Sequence, residues 1–280
     1  IESIADSVEM KYLKHIPNQP ILDIEIMPDN SLFIGVDGQG IWNIDKTGNV
    51  VEVYKEDSDN PTSLKGNGVY DIYCAPNGRV WICTYSGGVS FFDLAGSDIT
   101  KVSHIVNDSN SLVNNDVNDV LEDTSGNIWF ATNNGVSRWE PNKNRWKSFY
   151  HNKQEHAQVF LSLCEAKDGN IWAGTYSSGV YIMDKNTGKE IAHYSNEING
   201  GAFKNNFVFD IEKDAQNDIW IGGVRGDLVH YDAKTGQFNS YSDVTVNVMV
   251  DFTVDELLIG TTYGLLLFNK RSGVIKVLVE

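Results

Sequence analysis

The side chains best suited to chemistry in this sequence are Tyr85 and Ser86, Asn133 and Asn134, Tyr176 and Ser177, Arg225 and Asp227, and Tyr263. Tyr85, Asn133, Tyr176, Arg225 and Tyr263 stand four or five residues beyond Trp81, Trp129, Trp172, Trp220 and Leu258 respectively. Aromatic faces stack on C–H surfaces, while amide, hydroxyl and guanidinium groups pair with hydroxyls or carboxylates. The set therefore suits capture of a polyhydroxylated ligand. Asp37 and Gln39 hold the corresponding place after Phe33. A second series, Asp23, Asp71, Asp119 and Asp210, lies ten residues before the anchors Phe33, Trp81, Trp129 and Trp220, and Ser162 and Val248 break it. Ringed carboxylates can hold Ca²⁺ or Mg²⁺; they can also accept backbone N–H groups of a neighbouring segment, and that structural role is the expectation. The six His have no metal-ligand spacing, and GGVRGD lacks the spacing of a phosphate loop. No catalytic residue, metal or cofactor is expected. A glycosidase pair of carboxylates is a three-dimensional property and stays open at this point.

What places these residues is a repeat. NSLFIGVDGQGIWNID (30–45), GRVWICTYSGGVSFFD (78–93), GNIWFATNNGVSRWE (126–140), GNIWAGTYSSGVYIMD (169–184), NDIWIGGVRGDLVHYD (217–232) and DELLIGTTYGLLLFN (255–269) align on Phe33, Trp81, Trp129, Trp172, Trp220 and Leu258. The anchors are 48, 48, 43, 48 and 38 residues apart. Such a period with strand chemistry indicates propeller blades. Each unit reads as four strands: an apolar run such as Val69–Cys74, the anchor strand, a third strand after a Gly-containing turn, and an outer strand such as Val50–Lys55. The position two beyond the anchor is Gly, Cys or Ala in every repeat, small enough for one sheet to approach the next. The Trp anchors read as core rings packed between sheets. The expectation is an all-β protein, a single β-propeller over 1–280, with repeats at about 21–57, 69–105, 117–152, 160–196, 208–243 and 246–280. Residues 1–20 hold one outer strand near Met10–His15, which points to a seventh blade whose other strands lie outside this sequence.

Composition sets the bounds. Of 280 residues, 41% are hydrophobic and 11% aromatic, enough for a sizeable core. The net charge of −16 repels phosphate backbones and anionic lipid, which argues against nucleic acid and membrane surfaces as partners. No apolar run is long enough to span a bilayer. The chain starts at Ile1 without a Met and reads as a processed protein or a segment. Three Cys form no disulfide framework. Cys74 and Cys83 flank one hairpin but would not stand directly opposed, so no bridge is expected.

The linkers KEDSDNPTSLKGNGV (55–69) and VNDSNSLVNNDV (106–117), with DTSGNIWFATNNGV (123–136), resemble the two-component regulator propeller repeat. The likeness runs through all six units and is weakest at 246–280, where Leu258 replaces the Trp. The resemblance implies the periplasmic sensor region of a hybrid two-component histidine kinase, responding to an oligosaccharide. Its implied partners are an adjacent propeller or β-sandwich domain of the same receptor, and a possible homodimer formed through the full-length receptor. The alternatives are a propeller enzyme acting on polysaccharide, as a lyase or glycosidase, and a protein-binding scaffold. The hairpin turns after the anchor strands, and linker residues Asn67, Asn115, Asn205 and Asn206, would open on one face of such a propeller.

Overall fold

The computed structural model describes residues 19–60, 63–85, 87–94, 100–151, 159–196, 206–223, 228–242 and 244–279. They form six sheets of four antiparallel strands, each a meander in chain order. Blade 1 comprises Ile21–Ile26, Leu32–Val36, Gly40–Ile44 and Val50–Tyr54, and blade 2 Val69–Cys74, Arg79–Thr84, Gly88–Asp93 and Thr100–Val102. Blade 3 comprises Val117–Glu122, Ile128–Thr132, Gly135–Glu140 and Arg145–Phe149. In blade 4 the strands are Phe160–Glu165, Ile171–Thr175, Val180–Met183 and Glu190–Tyr194. Blade 5 has Asp210–Lys213, Ile219–Gly222, Leu228–Asp232 and Gln237–Tyr241, and blade 6 Val248–Thr253, Glu256–Thr261, Gly264–Asn269 and Ile275–Val279. The first strands of successive blades lie side by side around the axis of a six-bladed β-propeller. The only helical turn among the described residues is a short 3₁₀ segment, Pro141–Lys143. The outer strand expected at Met10–His15 lies outside the described residues.

The anchors behave as core. Phe33, Trp81, Trp129, Trp172 and Trp220 sit in second strands and are almost wholly buried. Each faces the blade that follows: Trp81 packs with Val117 and Val120 of blade 3, and Trp220 with Met249 and Ile259 of blade 6. Aromatic rings suit this place because one side chain fills the wedge between two twisted sheets. The small residue two beyond the anchor lets the sheets meet. A Cβ added at Gly174 would lie 2.6 Å from Cγ1 of Val208 in the next blade's entry segment, and one at Gly222 2.5 Å from Cβ of Val246. Cys83 occupies the same place, buried and free, paired in register with Asp71 rather than Cys74. In blade 6, Val250 and Phe252 are exposed and Leu258, Leu265 and Leu267 are half-buried on the anchor's face.

Two Trp anchors carry a lock that the repeat alignment does not reveal. Asp123, six residues before Trp129, accepts the indole Nε1–H at 2.9 Å and the backbone N–H groups of Ser125 and Asn127. Asp214 does the same for Trp220 at 3.0 Å, with Gln216 and Asp218. One carboxylate thus closes the turn between strands and satisfies a buried indole donor.

Candidate functional site

A threonine closes the hairpin tip in four blades. Thr84, Thr132, Thr175 and Thr261 donate their Oγ1–H to the carbonyls of Gly88, Gly135, Gly179 and Gly264, at 2.7–3.0 Å. The glycine at the far side of each tip is required. At Gly179, with φ of +76°, a Cβ would lie 2.1 Å from the carbonyl of Tyr194. The residue after Thr84, Thr132 and Thr175 is then tied to the linker entering its own blade: Tyr85 N–H donates to Gly68 O, Asn133 N–H to Asp116 O, and Tyr176 N–H to Val159 O. Tips and inter-blade linkers therefore share one end of the propeller.

At that end the expected residues fare differently. Tyr85, Tyr176 and Tyr263 are 56%, 51% and 83% exposed, with rings available to a ligand, and Ser177 is exposed beside Tyr176. Asn133 is half-buried and engaged within the protein. Its Oδ1 accepts from Asn118 at 2.9 Å, and its Nδ2 lies 3.4 Å from Asp116 Oδ2. Asn134 N–H donates to Thr132 Oγ1 and helps shape the tip. Ser86, Arg225 and Asp227 lie outside the described residues. Gln39 accepts from Lys55 Nζ at 3.0 Å, whereas Asp37 stands exposed.

Sequence reasoning missed Tyr70. The first strands of blades 1 to 4 carry a bulge just before the recurring Asp or Ser, and Tyr70 is the bulged residue of blade 2. A bulge breaks the alternation of a strand and re-aims one side chain. Here it turns Tyr70 toward the tip of its own blade, where its ring meets Tyr85 edge-to-face at 6.1 Å. The same two places in blade 3 hold Asn118 and Asn133, and Asn118 also donates to Phe160 O of blade 4 at 2.7 Å. The signal available in the sequence was a large aromatic one residue before Asp71, inside a run otherwise read as core. Beside the tyrosine pair lies a cavity of about 480 Å³, between the tip of blade 1 (Asp37, Gly38) and the linker entering blade 2 (Glu56, Lys65, Asn67). Tyr176 makes a second edge-to-face pair with Phe207, at 5.0 Å.

The linker asparagines turn out to be joints as well as rim residues. Asn67, Asn115 and Asn206 each accept a tip glycine N–H of the preceding blade on the backbone oxygen, and a backbone N–H at the end of its outer strand on Oδ1. Asn205 lies outside the described residues. The Ser-Leu of the linker is structural too. Ser63 and Ser111 cap the acidic turn through Oγ, and Leu64 and Leu112 are fully buried.

The axial carboxylates tie blade to blade. Asp23 Oδ2 accepts Ile72 N–H at 2.7 Å, Asp71 accepts Val120 N–H at 3.1 Å, Asp119 accepts Leu163 N–H and Asp210 accepts Met249 N–H, both at 2.5 Å. In each case the donor belongs to the next blade's first strand. Glu25 and Glu212 repeat the contact two residues on, to Cys74 and Asp251. Blade 4 lacks the carboxylate: Ser162 Oγ is buried without a hydrogen-bond partner among the described residues, and Ile211 N–H turns to its own Asp210. Burial pushes Asp23 up to about 7, Asp119 up to about 8 and Glu212 up to about 7, and raises Asp71 and Asp210 well above the carboxylate range. Among the described residues no group of three His, Cys, Asp or Glu side chains has metal-holding geometry. His104, His193 and His230 contact Leu112 O, Ser178 O and Asp218 respectively, in structural roles.

Residues 63–86, 111–134, 154–177 and 202–225 match the two component regulator propeller family. No curated protein matches the chain. The fold is similar to the extracellular domain of a hybrid two-component system from B. thetaiotaomicron, with a TM-score of 0.77 and 20% identity, over 95% of this chain and 35% of that one. A second such domain from the same organism has a TM-score of 0.55 at 14% identity, over 95% and 44%. Virginiamycin B lyase from Staphylococcus aureus is similar at a TM-score of 0.67 and 12% identity, over 92% and 83%. The chain spans about a third of the length of the first of these. At such identities the likeness is one of fold.

Proposed function

Four segments of the chain match two-component regulator propeller repeats, and from that premise we propose that it is the ligand-sensing propeller of a periplasmic two-component receptor. It binds a glycan-derived oligosaccharide across the hairpin-tip end, or relays such binding through an adjacent propeller or β-sandwich domain to a membrane kinase. The observation that carries the reading is the exposed aromatic set at that end: the Tyr70–Tyr85 pair beside its cavity, Tyr176 against Phe207, and Tyr263. An exposed tyrosine presents an apolar face and a polar phenol together, and a sugar ring offers C–H groups to the face and hydroxyls to the phenol. The linker motif that marks the family does not itself choose the ligand, because its Ser, Leu and Asn side chains are engaged in joining blades.

The test is a glycan array followed by calorimetry on the hit. Binding should weaken about tenfold or more in Tyr85→Ala or Tyr176→Ala with the fold intact, the scale of a lost aromatic platform. Turnover of the bound glycan, abolished by a single carboxylate substitution, would replace this reading with the polysaccharide-acting enzyme.

A further inference from the structure

The cavity between blades 1 and 2 has a chemistry of its own. Two phenol rings stand at 82° to one another, so a guest meets one ring face and one ring edge. Two carboxylates, Asp37 and Glu56, line the same space, and neither makes a side-chain hydrogen bond or ion pair among the described residues. Among the described residues the one cation on the wall, Lys65, reaches Asn60 O at 3.3 Å and does not pair with either carboxylate. Burial, then Asp37, Tyr85 and Asp116, raise the Tyr70 phenol, so negative potential gathers at this ring. Asn67 adds an amide whose Oδ1 is already engaged by Glu56 N–H. At about 480 Å³ the space lies within the range of small-molecule sites.

Unpaired carboxylates beside aromatic faces favour a cation that can also donate hydrogen bonds. They disfavour a uronic or sulfated sugar. Resting on the oligosaccharide reading above, we infer that this cavity takes a sugar unit bearing a protonated amine, its ammonium toward Asp37 and Glu56 and its ring against Tyr70 and Tyr85. A neutral N-acetyl unit loses the charge and most of the donors, and an anionic unit meets like charge.

The experiment titrates the protein with a glucosamine oligomer, its fully N-acetylated counterpart and a uronate oligomer, by calorimetry, at low and at physiological salt. The amine form should bind about tenfold more tightly than the acetylated form, and the advantage should shrink with salt. In an Asp37→Asn/Glu56→Gln double variant the two forms should bind alike, and Tyr70→Ala should weaken both. Tryptophan fluorescence checks that each variant is folded. Equal binding of amine and acetyl forms, or an amine preference that survives the double variant, overturns the inference. If Tyr85→Ala still weakens both forms in that case, the oligosaccharide reading stands without it. Absence of saturable binding by the amine form also overturns the inference, whereas the sensor reading fails only if no glycan on the array binds.

Discussion

Raising the pH from about 5 to about 7 should destabilise this protein, opposite to the usual carboxylate behaviour. The groups responsible are the axial carboxylates. In the fold Asp23 and Glu212 titrate at about 7 and Asp119 at about 8, while in the unfolded chain they titrate near about 4. Between those values the folded state holds protons that the unfolded state has lost, so stability falls as pH rises through the window. One proton held by the cluster gives about 1.4 kcal/mol per pH unit, or roughly 3 kcal/mol over the interval, and three would triple it. Glu140, drawn down to about 2 by Lys143, Arg145 and Arg138, and Asp45, held at about 2 by the Thr47 hydroxyl and Asn49 N–H, act the other way. Their contribution is present above the unfolded value and is lost as pH falls below about 4. Stability should therefore peak at about pH 4, where the two effects cancel. Urea unfolding followed by tryptophan fluorescence, at unit steps of pH, measures the slope. Asp119→Asn keeps an acceptor for Leu163 N–H but removes one titrating group, and should flatten the slope by up to about 1.4 kcal/mol per unit. A slope that is zero or positive between about pH 5 and 7, or one that Asp119→Asn leaves unchanged, would refute the reasoning.

Three substitutions probe other joints. Asp123→Ala strands the Trp129 indole and two turn N–H groups, and should cost about 2–4 kcal/mol in urea unfolding. Gly174→Ala places a Cβ 2.4 Å from Ser162 Oγ and 2.6 Å from Val208 Cγ1, which should cost about 1–3 kcal/mol by the same measurement. Ser162→Ala removes a buried hydroxyl that has no partner among the described residues, and its unfolding free energy should stay within about 0.5 kcal/mol of wild type or rise.

How much of this was legible in the sequence follows from which interactions are periodic. The anchors and the small residue two places on recur with the blade because every blade meets its neighbour through the same wedge. Phe33, Trp81, Trp129, Trp172 and Trp220 accordingly lie buried in equivalent second strands. The ten-residue offset of Asp23, Asp71, Asp119 and Asp210 was visible for the same reason, while their bonds to the next blade's backbone appear only in the structure. Cys83 could be read as core from its place among glycines and an alanine.

What lay outside the sequence depends on register and on contacts between distant segments. Tyr70 looked like part of an apolar strand, and only the bulge opposite Cys83 and Thr84 turns it to the hairpin-tip end beside Tyr85. Asn133 was grouped with the exposed tyrosines by spacing, yet an amide on the neighbouring first strand engages it. Asp123 and Asp214 drew no attention in the sequence, and their bond to a buried indole appears once the two strands pair. The period of a sequence reports what every blade must do to pack on the next. The Tyr70–Tyr85 pair and its cavity arise where one blade departs from the others, and that departure is decided by tertiary contacts that no spacing encodes.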